Sequence, residues 1–344
     1  MQVRLSALAT AVPPFVLEQR DVAGSVEALL GSHENIRRLL PVFENAGIDR
    51  RYCAVSFDWF AKSHGWQDRN AMFVRSAVAL LEEVSSKLLA SAGLQPRDID
   101  AIVTVSTSGI ATPSLDALLI EQLSLRRDVK RLPIFGLGCA GGVIGLSRAA
   151  DIAKAMPGSN VLFLVVELCT LNFRKEDLSK SNIVATALFG DGAAGALLST
   201  EAQGPVLGPS GEHTWPHSLD VMGWEVEDQG LKAIFSTSIP ALIERDMRAI
   251  TDTFLADHQL SRRDIALYAS HPGGAKVLDA LEHAFEIETL SDSRAVLSAY
   301  GNMSAVTALF VLARMNWRKP DGRILLSAMG PGFTAAFQLL GGPS

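Results

Sequence analysis

Residues 136–142 read Gly136-Leu137-Gly138-Cys139-Ala140-Gly141-Gly142. They follow an apolar run, "RLPIF" (131–135), and open a long helical pattern, "VIGLSRAADIAKAM" (143–156). The pattern is therefore strand, tight turn, helix, and the turn permits two readings. As G-x-G-x-x-G it is the fingerprint of a dinucleotide pyrophosphate site, with Glu167 at the end of the next strand, "VLFLVVE", as a ribose-binding acid. Read around its fourth residue, it aims a cysteine from a helix N-terminus. There the macrodipole and the unpaired N–H groups favour a thiolate. Glu167 lies beyond the usual spacing of about 20 residues, and the turn does not follow the first strand of its unit. Both points favour the nucleophile.

Working outward, the chain repeats itself. The passage "SSKLLASAGLQPRDIDAIVTVSTSG" (85–109) resembles "TDTFLADHQLSRRDIALYASHPGG" (251–274), with Arg97-Asp98-Ile99 matching Arg263-Asp264-Ile265. Each runs from amphipathic helix through a polar turn to an apolar strand and a small-residue loop. A second unit follows each: residues 131–156, and "RAVLSAYGNMSAVTALFVLARM" (294–315), also read as strand, turn and helix. Gly138-Cys139 then falls opposite Gly301-Asn302. Alternating strands and helices, duplicated, predict an α/β protein with a five-layer αβαβα body and a pseudo-twofold axis. The halves divide as 1–203 and 204–344. The axis brings Cys139 and Asn302, each at the start of a buried helix, toward a common point. His271, at the strand end "SHPGG", joins them. Taken singly, Cys139 reads as a small core residue, His271 as a structural histidine and Asn302 as a helix N-cap. Their matching junctions favour a Cys-His-Asn catalytic set.

Bulk properties narrow the field. The 344 residues are 48% hydrophobic with a net charge of −6, which argues against a nucleic-acid surface. The longest apolar runs are too short to span a bilayer, so no integral membrane protein is expected. The three cysteines lack C-x-x-C spacing, and "HTWPH" (213–217) contains a proline. Neither a disulfide framework nor a metal site is expected, and a reducing, cytoplasmic setting is.

The motifs "ATAVPP", "GLGCAGG", "ALFGDGAAGALL", "SHPGGAKVLDALE", "LSAYGNMS" and "MGPGFT" together resemble the type III polyketide synthases of the chalcone synthase superfamily, on the thiolase fold. The likeness covers nearly the whole chain. It implies a homodimeric acyltransferase that needs no metal or redox cofactor and uses coenzyme A thioesters as substrates. Cys139 would take a starter acyl group from its CoA ester. His271 and Asn302 would stabilise the enolate formed as malonyl-CoA loses carbon dioxide. Phe189 matches the gatekeeper phenylalanine, and the loop Gly330-Pro331-Gly332-Phe333 matches one that shapes the cyclisation cavity. Thr112 stands where plant members carry a methionine that reaches into the partner's cavity. Ala233 replaces a second plant gatekeeper. Cys169 matches a cavity-wall residue of bacterial alkylpyrone and alkylresorcinol synthases, though a plain core cysteine fits equally well.

These smaller residues imply a medium- or long-chain fatty acyl-CoA starter, extended iteratively by malonyl-CoA and released as an alkylpyrone or alkylresorcinol. For the CoA phosphates, Arg50 and Arg51 are the candidates, while Arg37 and Arg38 read as solvated surface. Delivery by an acyl carrier protein is the alternative. A β-ketoacyl-acyl carrier protein synthase of the third kind and, more remotely, a nicotinamide-dependent oxidoreductase are the competing readings.

Overall fold

The computed structural model describes residues 1–30 and 37–342. Its strands are β1 (Val3–Ala11), β2 (Phe15–Glu18), β3 (Arg50–Cys53), β4 (Ala101–Ser106), β5 (Lys130–Phe135), β6 (Val161–Leu168), β7 (Asp191–Ser199), β8 (Val206–Thr214), β9 (Met222–Glu227), β10 (Gly230–Phe235), β11 (Ile265–Ser270), β12 (Arg323–Gly330) and β13 (Thr334–Leu340). The helices are α1 (Gln19–Leu30), α2 (Pro41–Glu44), α3 (Trp66–Ala92), α4 (Leu115–Leu123), α5 (Gly141–Ala155), α6 (Lys180–Leu188), α7 (Ile239–Asp257), α8 (Ala275–Phe285), α9 (Ser291–Tyr300) and α10 (Thr307–Arg314).

Strand alternation sorts the side chains into layers. On β4 and β6, Val103, Val105, Phe163 and Val165 point inward, joining residues of α5 and α10 in one core. Their neighbours Ile102, Leu162 and Leu164 point outward, onto α3 and α4. The other half does the same. Ile324, Leu326 and Ala328 of β12 face the central helices, while Leu325 and Met329 face α7 and α8. The result is helices, sheet, paired central helices, sheet, helices, as expected for the thiolase-like fold. The two sheets are continuous at one edge, giving the order β11-β12-β13-β8-β1-β7-β6-β4-β5. The join is slight, with only Val3–Leu207 and Arg4–Val206 paired between β1 and β8.

One element departs from the duplication. Residues 294–300 were expected as a strand and form most of helix α9. The buried positions Ser293, Val296 and Leu297 follow helical spacing, which a half-buried strand cannot satisfy. Among the described residues the second half therefore contributes four strands to the sheet and has no counterpart of β5. The junction still matches: Asn302 precedes a 3-10 turn, Ser304–Val306, that leads into α10, as Cys139 lies in the turn Gly138–Ala140 that leads into α5.

The glycines of the opening stretch explain the central layer. A Cβ on Gly142 would sit 2.1 Å from the Ala305 carbonyl oxygen, and one on Gly138 would sit 2.4 Å from Pro331. Glycine here lets the two halves touch backbone to backbone. The turn is filled by protein, and a pyrophosphate has no place in it.

Candidate active site

Cys139, His271 and Asn302 line one cavity of about 470 Å³, between the two halves. They are 7%, 2% and 2% exposed, so all three are out of bulk water. The β11 end carries His271, whose backbone N–H donates to the Ser327 carbonyl at 2.8 Å. Among the described residues neither ring nitrogen of His271 has a hydrogen-bond partner. Buried polar atoms are rarely left so, and an unpartnered imidazole facing a cavity is poised to take one from a ligand. Asn302 is held at both ends: its Nδ2 donates to the Gly273 carbonyl at 3.2 Å, and its Oδ1 accepts from the Ser304 N–H at 2.8 Å. The Asn302 side chain also lies within hydrogen-bond reach of the Cys139 sulfur.

The electrostatics differ from the expected thiolate. Burial pushes the Cys139 thiol up to about 12; the Ser304 hydroxyl pulls the other way, and the nearby Glu167 carboxyl adds to the rise. Burial likewise lowers His271 to about 3. Desolvation opposes the helix N-terminus and favours a neutral thiol beside a neutral imidazole. Such a pair moves its proton during reaction rather than before it.

Sequence reasoning missed the floor of the site. Glu167, cast above as a ribose acid, is fully buried beneath Cys139. One of its oxygens accepts from the Thr107 N–H (3.0 Å), the Ser108 N–H (2.9 Å) and the Ser108 hydroxyl (2.6 Å). The other accepts from the Ser304 hydroxyl at 3.4 Å, and Ser304 Oγ in turn receives the Cys139 S–H at 3.7 Å. A chain Cys139–Ser304–Glu167 results. Only a strand-end acid was visible in sequence; its direction was not.

Burial moves Glu167 from the ordinary 4.5 to about 7. A carboxyl raised in this way keeps its proton in the folded chain at pH values where the unfolded chain has lost it. Stability therefore falls as pH climbs from 4.5 to about 7 and is flat above. At 1.36 kcal/mol per pH unit the whole loss is about 3 kcal/mol. Asp191, raised by burial to about 6, acts in the same direction. In Glu167→Gln the amide keeps an oxygen for Thr107 and Ser108 and offers its N–H₂ to Ser304. Urea unfolding at pH 5 and pH 8 should show the wild type losing about 2–3 kcal/mol more than this variant. Equal losses in both would show that Glu167 is not held protonated.

A second chamber of about 100 Å³ lies behind the first, and Phe189, Cys169 and Ala233 line it, together forming a small apolar cluster. Leu188 lines the Cys139 cavity and Phe189 the second chamber, so the C-terminus of α6 is the partition. Phe189 packs on Trp224 and Phe235 at ring-centroid distances of 5.7 and 5.5 Å.

Other expected residues fall elsewhere. Thr112 is exposed and lines neither chamber of its own chain. The loop Gly330–Phe333 lines neither chamber as well. A Cβ on Gly330 would lie 2.4 Å from the Leu137 carbonyl oxygen, and Phe333 is fully buried against Trp215. The loop braces the nucleophile's turn instead of walling the cavity. Arg50 is exposed on β3 and lines neither chamber. Arg51 is 2% exposed and donates to the Thr186 and Phe189 carbonyls, so it is not available to phosphate. The cations at the Cys139 cavity are Arg38, Lys180 and Lys276, all exposed, and none of its described lining residues is acidic. Arg38, read above as plain surface, therefore belongs to the site, because folding brings α6 and α8 beside it.

Among the described residues no group of His, Cys, Asp and Glu is placed to hold a metal ion, and no helix is long and apolar enough to cross a membrane.

Comparison with known proteins finds relatives along nearly the whole chain. Residues 2–202 match the N-terminal domain of chalcone and stilbene synthases, and residues 209–342 match the C-terminal domain. The chain is 36% identical to a 1,3,6,8-tetrahydroxynaphthalene synthase of Streptomyces peucetius subsp. caesius, covering 98% of this chain and 92% of that protein. It is 28% identical to the alpha-pyrone synthesis polyketide synthase-like Pks18 of Mycobacterium tuberculosis, covering 96% and 88%. The crystal structure of the tetrahydroxynaphthalene synthase of Streptomyces coelicolor, a bacterial type III polyketide synthase, superposes with a TM-score of 0.93 over 99% of both chains, at 28% identity.

Proposed function

The chain belongs to the chalcone and stilbene synthase family, the type III polyketide synthases, and from that premise we propose that it condenses malonyl-CoA onto a medium- or long-chain fatty acyl starter held on Cys139. The observation that carries this reading is one cavity shared by Cys139, His271 and Asn302, with three cations and no described acid around it.

In the proposed loading step Cys139 attacks the thioester carbonyl of the starter while its proton passes to His271. The new C–S bond forms as the bond to CoA breaks, and His271 returns the proton to the departing CoA thiolate. Malonyl-CoA then enters with its thioester carbonyl between His271 and the cavity-facing Nδ2–H of Asn302. As carbon dioxide leaves, negative charge grows on that oxygen, and two fixed donors in a water-poor site stabilise the enolate. Its carbon attacks the acyl group and frees Cys139.

The phosphates of CoA, or of the prosthetic group of an acyl carrier protein, would meet Arg38, Lys180 and Lys276. In an Arg38→Glu, Lys276→Glu double variant, KM for acyl-CoA should rise about tenfold, or 1.4 kcal/mol. Loading from a phosphate-free acyl thioester should be unchanged, and an equal loss with both donors would place the phosphates elsewhere.

The second chamber, with Cys169, Ala185 and Ala233 as small wall residues, is the proposed site of the alkyl chain. At about 100 Å³ it is smaller than an engineered cavity of about 150 Å³ that takes benzene, so a long chain requires Phe189 and its aromatic neighbours to part. Alkylpyrone or alkylresorcinol is the proposed product. The proposal includes a homodimer joined at the open edge strand β5, where Phe135 is 57% exposed; Ile110 and Thr112, in the loop after the neighbouring strand β4, are exposed too. It also includes a cytoplasmic setting that keeps Cys139 reduced. Incubation with a panel of acyl-CoAs and malonyl-CoA, with products read by mass spectrometry, tests the whole. Preference for short or aromatic starters would refute the chain-length assignment.

A further inference from the structure

Leu188 and Phe189 stand back to back on the two chambers, so whatever fixes this pair fixes how the chambers communicate. Arg51 reaches this junction and itself lines the second chamber. Its Nη1 donates to the Thr186 carbonyl and, at 2.8 Å, to that of Phe189. These oxygens belong to the last turn of α6, where carbonyls lack helical partners and a positive charge is favoured. Its stem crosses Gly301, where a Cβ would come within 2.7 Å of Cγ and 2.8 Å of Cδ. Gly301 has φ +69°, so both its conformation and its missing side chain make room for the arginine. The next residue, Asn302, is bridged to the same partition: its N–H donates to the Leu188 carbonyl at 2.8 Å, and its carbonyl accepts from the Gly190 N–H at 3.0 Å. Asp191, one residue further, lies close enough to Arg51 to interact with its charge.

We propose that Arg51 is a positioning residue, pinning the Leu188–Phe189 partition to the Asn302 turn and so controlling passage between the two chambers. For chain growth the inference rests on the reading of Cys139 given above. Both bonds come from the one nitrogen Nη1. Lysine keeps the charge, but its Nζ ends one bond short of that atom, so it reaches the two carbonyls less well. Methionine keeps the stem over Gly301 and holds neither.

The three cysteines allow a test that needs no turnover. Cys169 lines the second chamber, Cys139 the first, and Cys53, fully buried on β3, lines neither. Wild type, Arg51→Lys and Arg51→Met are treated with iodoacetamide, and alkylation of each cysteine is followed by peptide mass spectrometry. In Arg51→Met, Cys169 should react about threefold faster or more relative to Cys53, with Arg51→Lys between it and the wild type. Cys139 loading from acyl-CoA should stay within about twofold, while the spread of product chain lengths widens. If Cys169 and Cys53 accelerate together, or neither does, Arg51 serves only local stability and the proposal falls. Should Arg51→Met fail to fold, Arg51→Lys carries the same comparison. Absence of an acyl adduct on wild-type Cys139 would sink the condensing reading while leaving the thiol comparison intact.

Discussion

Cys139→Ala is expected to form no polyketide and to gain no acyl mass from any acyl-CoA. The substitution removes one sulfur from a position that is 7% exposed, and the turn around it is set by Gly138 against Pro331 and Gly142 against Ala305. The fold should therefore persist, with Tm within about 3 °C of the wild type. His271 and Asn302 keep their places, so malonyl-CoA should still be decarboxylated, giving acetyl-CoA that is never joined to a starter. Intact-protein mass spectrometry checks the first expectation and release of carbon dioxide the second. Polyketide formed by Cys139→Ala would require another nucleophile. The buried thiols Cys53 and Cys169 are poor substitutes, since burial raises both well above the ordinary thiol range.

His271→Ala should lose both half-reactions. Among the described residues the unpartnered imidazole is the only buried basic side chain that lines the Cys139 cavity, because Arg38, Lys180 and Lys276 are exposed. Without it the thiol, held near 12 by burial, keeps only its bond to the Ser304 hydroxyl, a very weak base, and loading should drop about 10²-fold or more. Decarboxylation loses one of two donors to the enolate and should fall about 10²–10³-fold. His271→Gln separates the roles: its amide N–H restores part of the decarboxylation but cannot act as a base. The wild-type imidazole, lowered by burial to about 3, stays neutral through the physiological range, so loading should not follow an ordinary histidine titration near pH 6.5. Loading of Cys139 in His271→Ala at the wild-type rate would remove the histidine from the first step.

The layered fold was legible because apolar alternation and the Arg-Asp-Ile repeat are local signals, and two like halves can bury their apolar faces only against helices and each other. The segment 294–300 shows the limit. Its apolar content suits strand or helix, and contact of Val296 and Leu297 with the neighbouring layers chose the helix. The meeting of Cys139, His271 and Asn302 in one cavity was legible for a similar reason: duplication puts Cys139 and Asn302 at equivalent junctions, so symmetry supplied a long-range distance that single residues do not carry.

Charge and direction were left to the tertiary structure. Arg51 and Arg38 are both arginines near the start of the chain; one is sealed under the last turn of α6 and the other opens onto the Cys139 cavity. Glu167 ends its strand in sequence, yet only packing turns it under the nucleophile. The ionisation of Cys139 follows from how much water surrounds it, a quantity summed over residues far apart in the chain. Sequence by itself determined the architecture and pointed to the three side chains that meet in one cavity, since periodicity and repeat are written along the chain. Burial, partner and pKa arise between segments, and only the folded protein decides them.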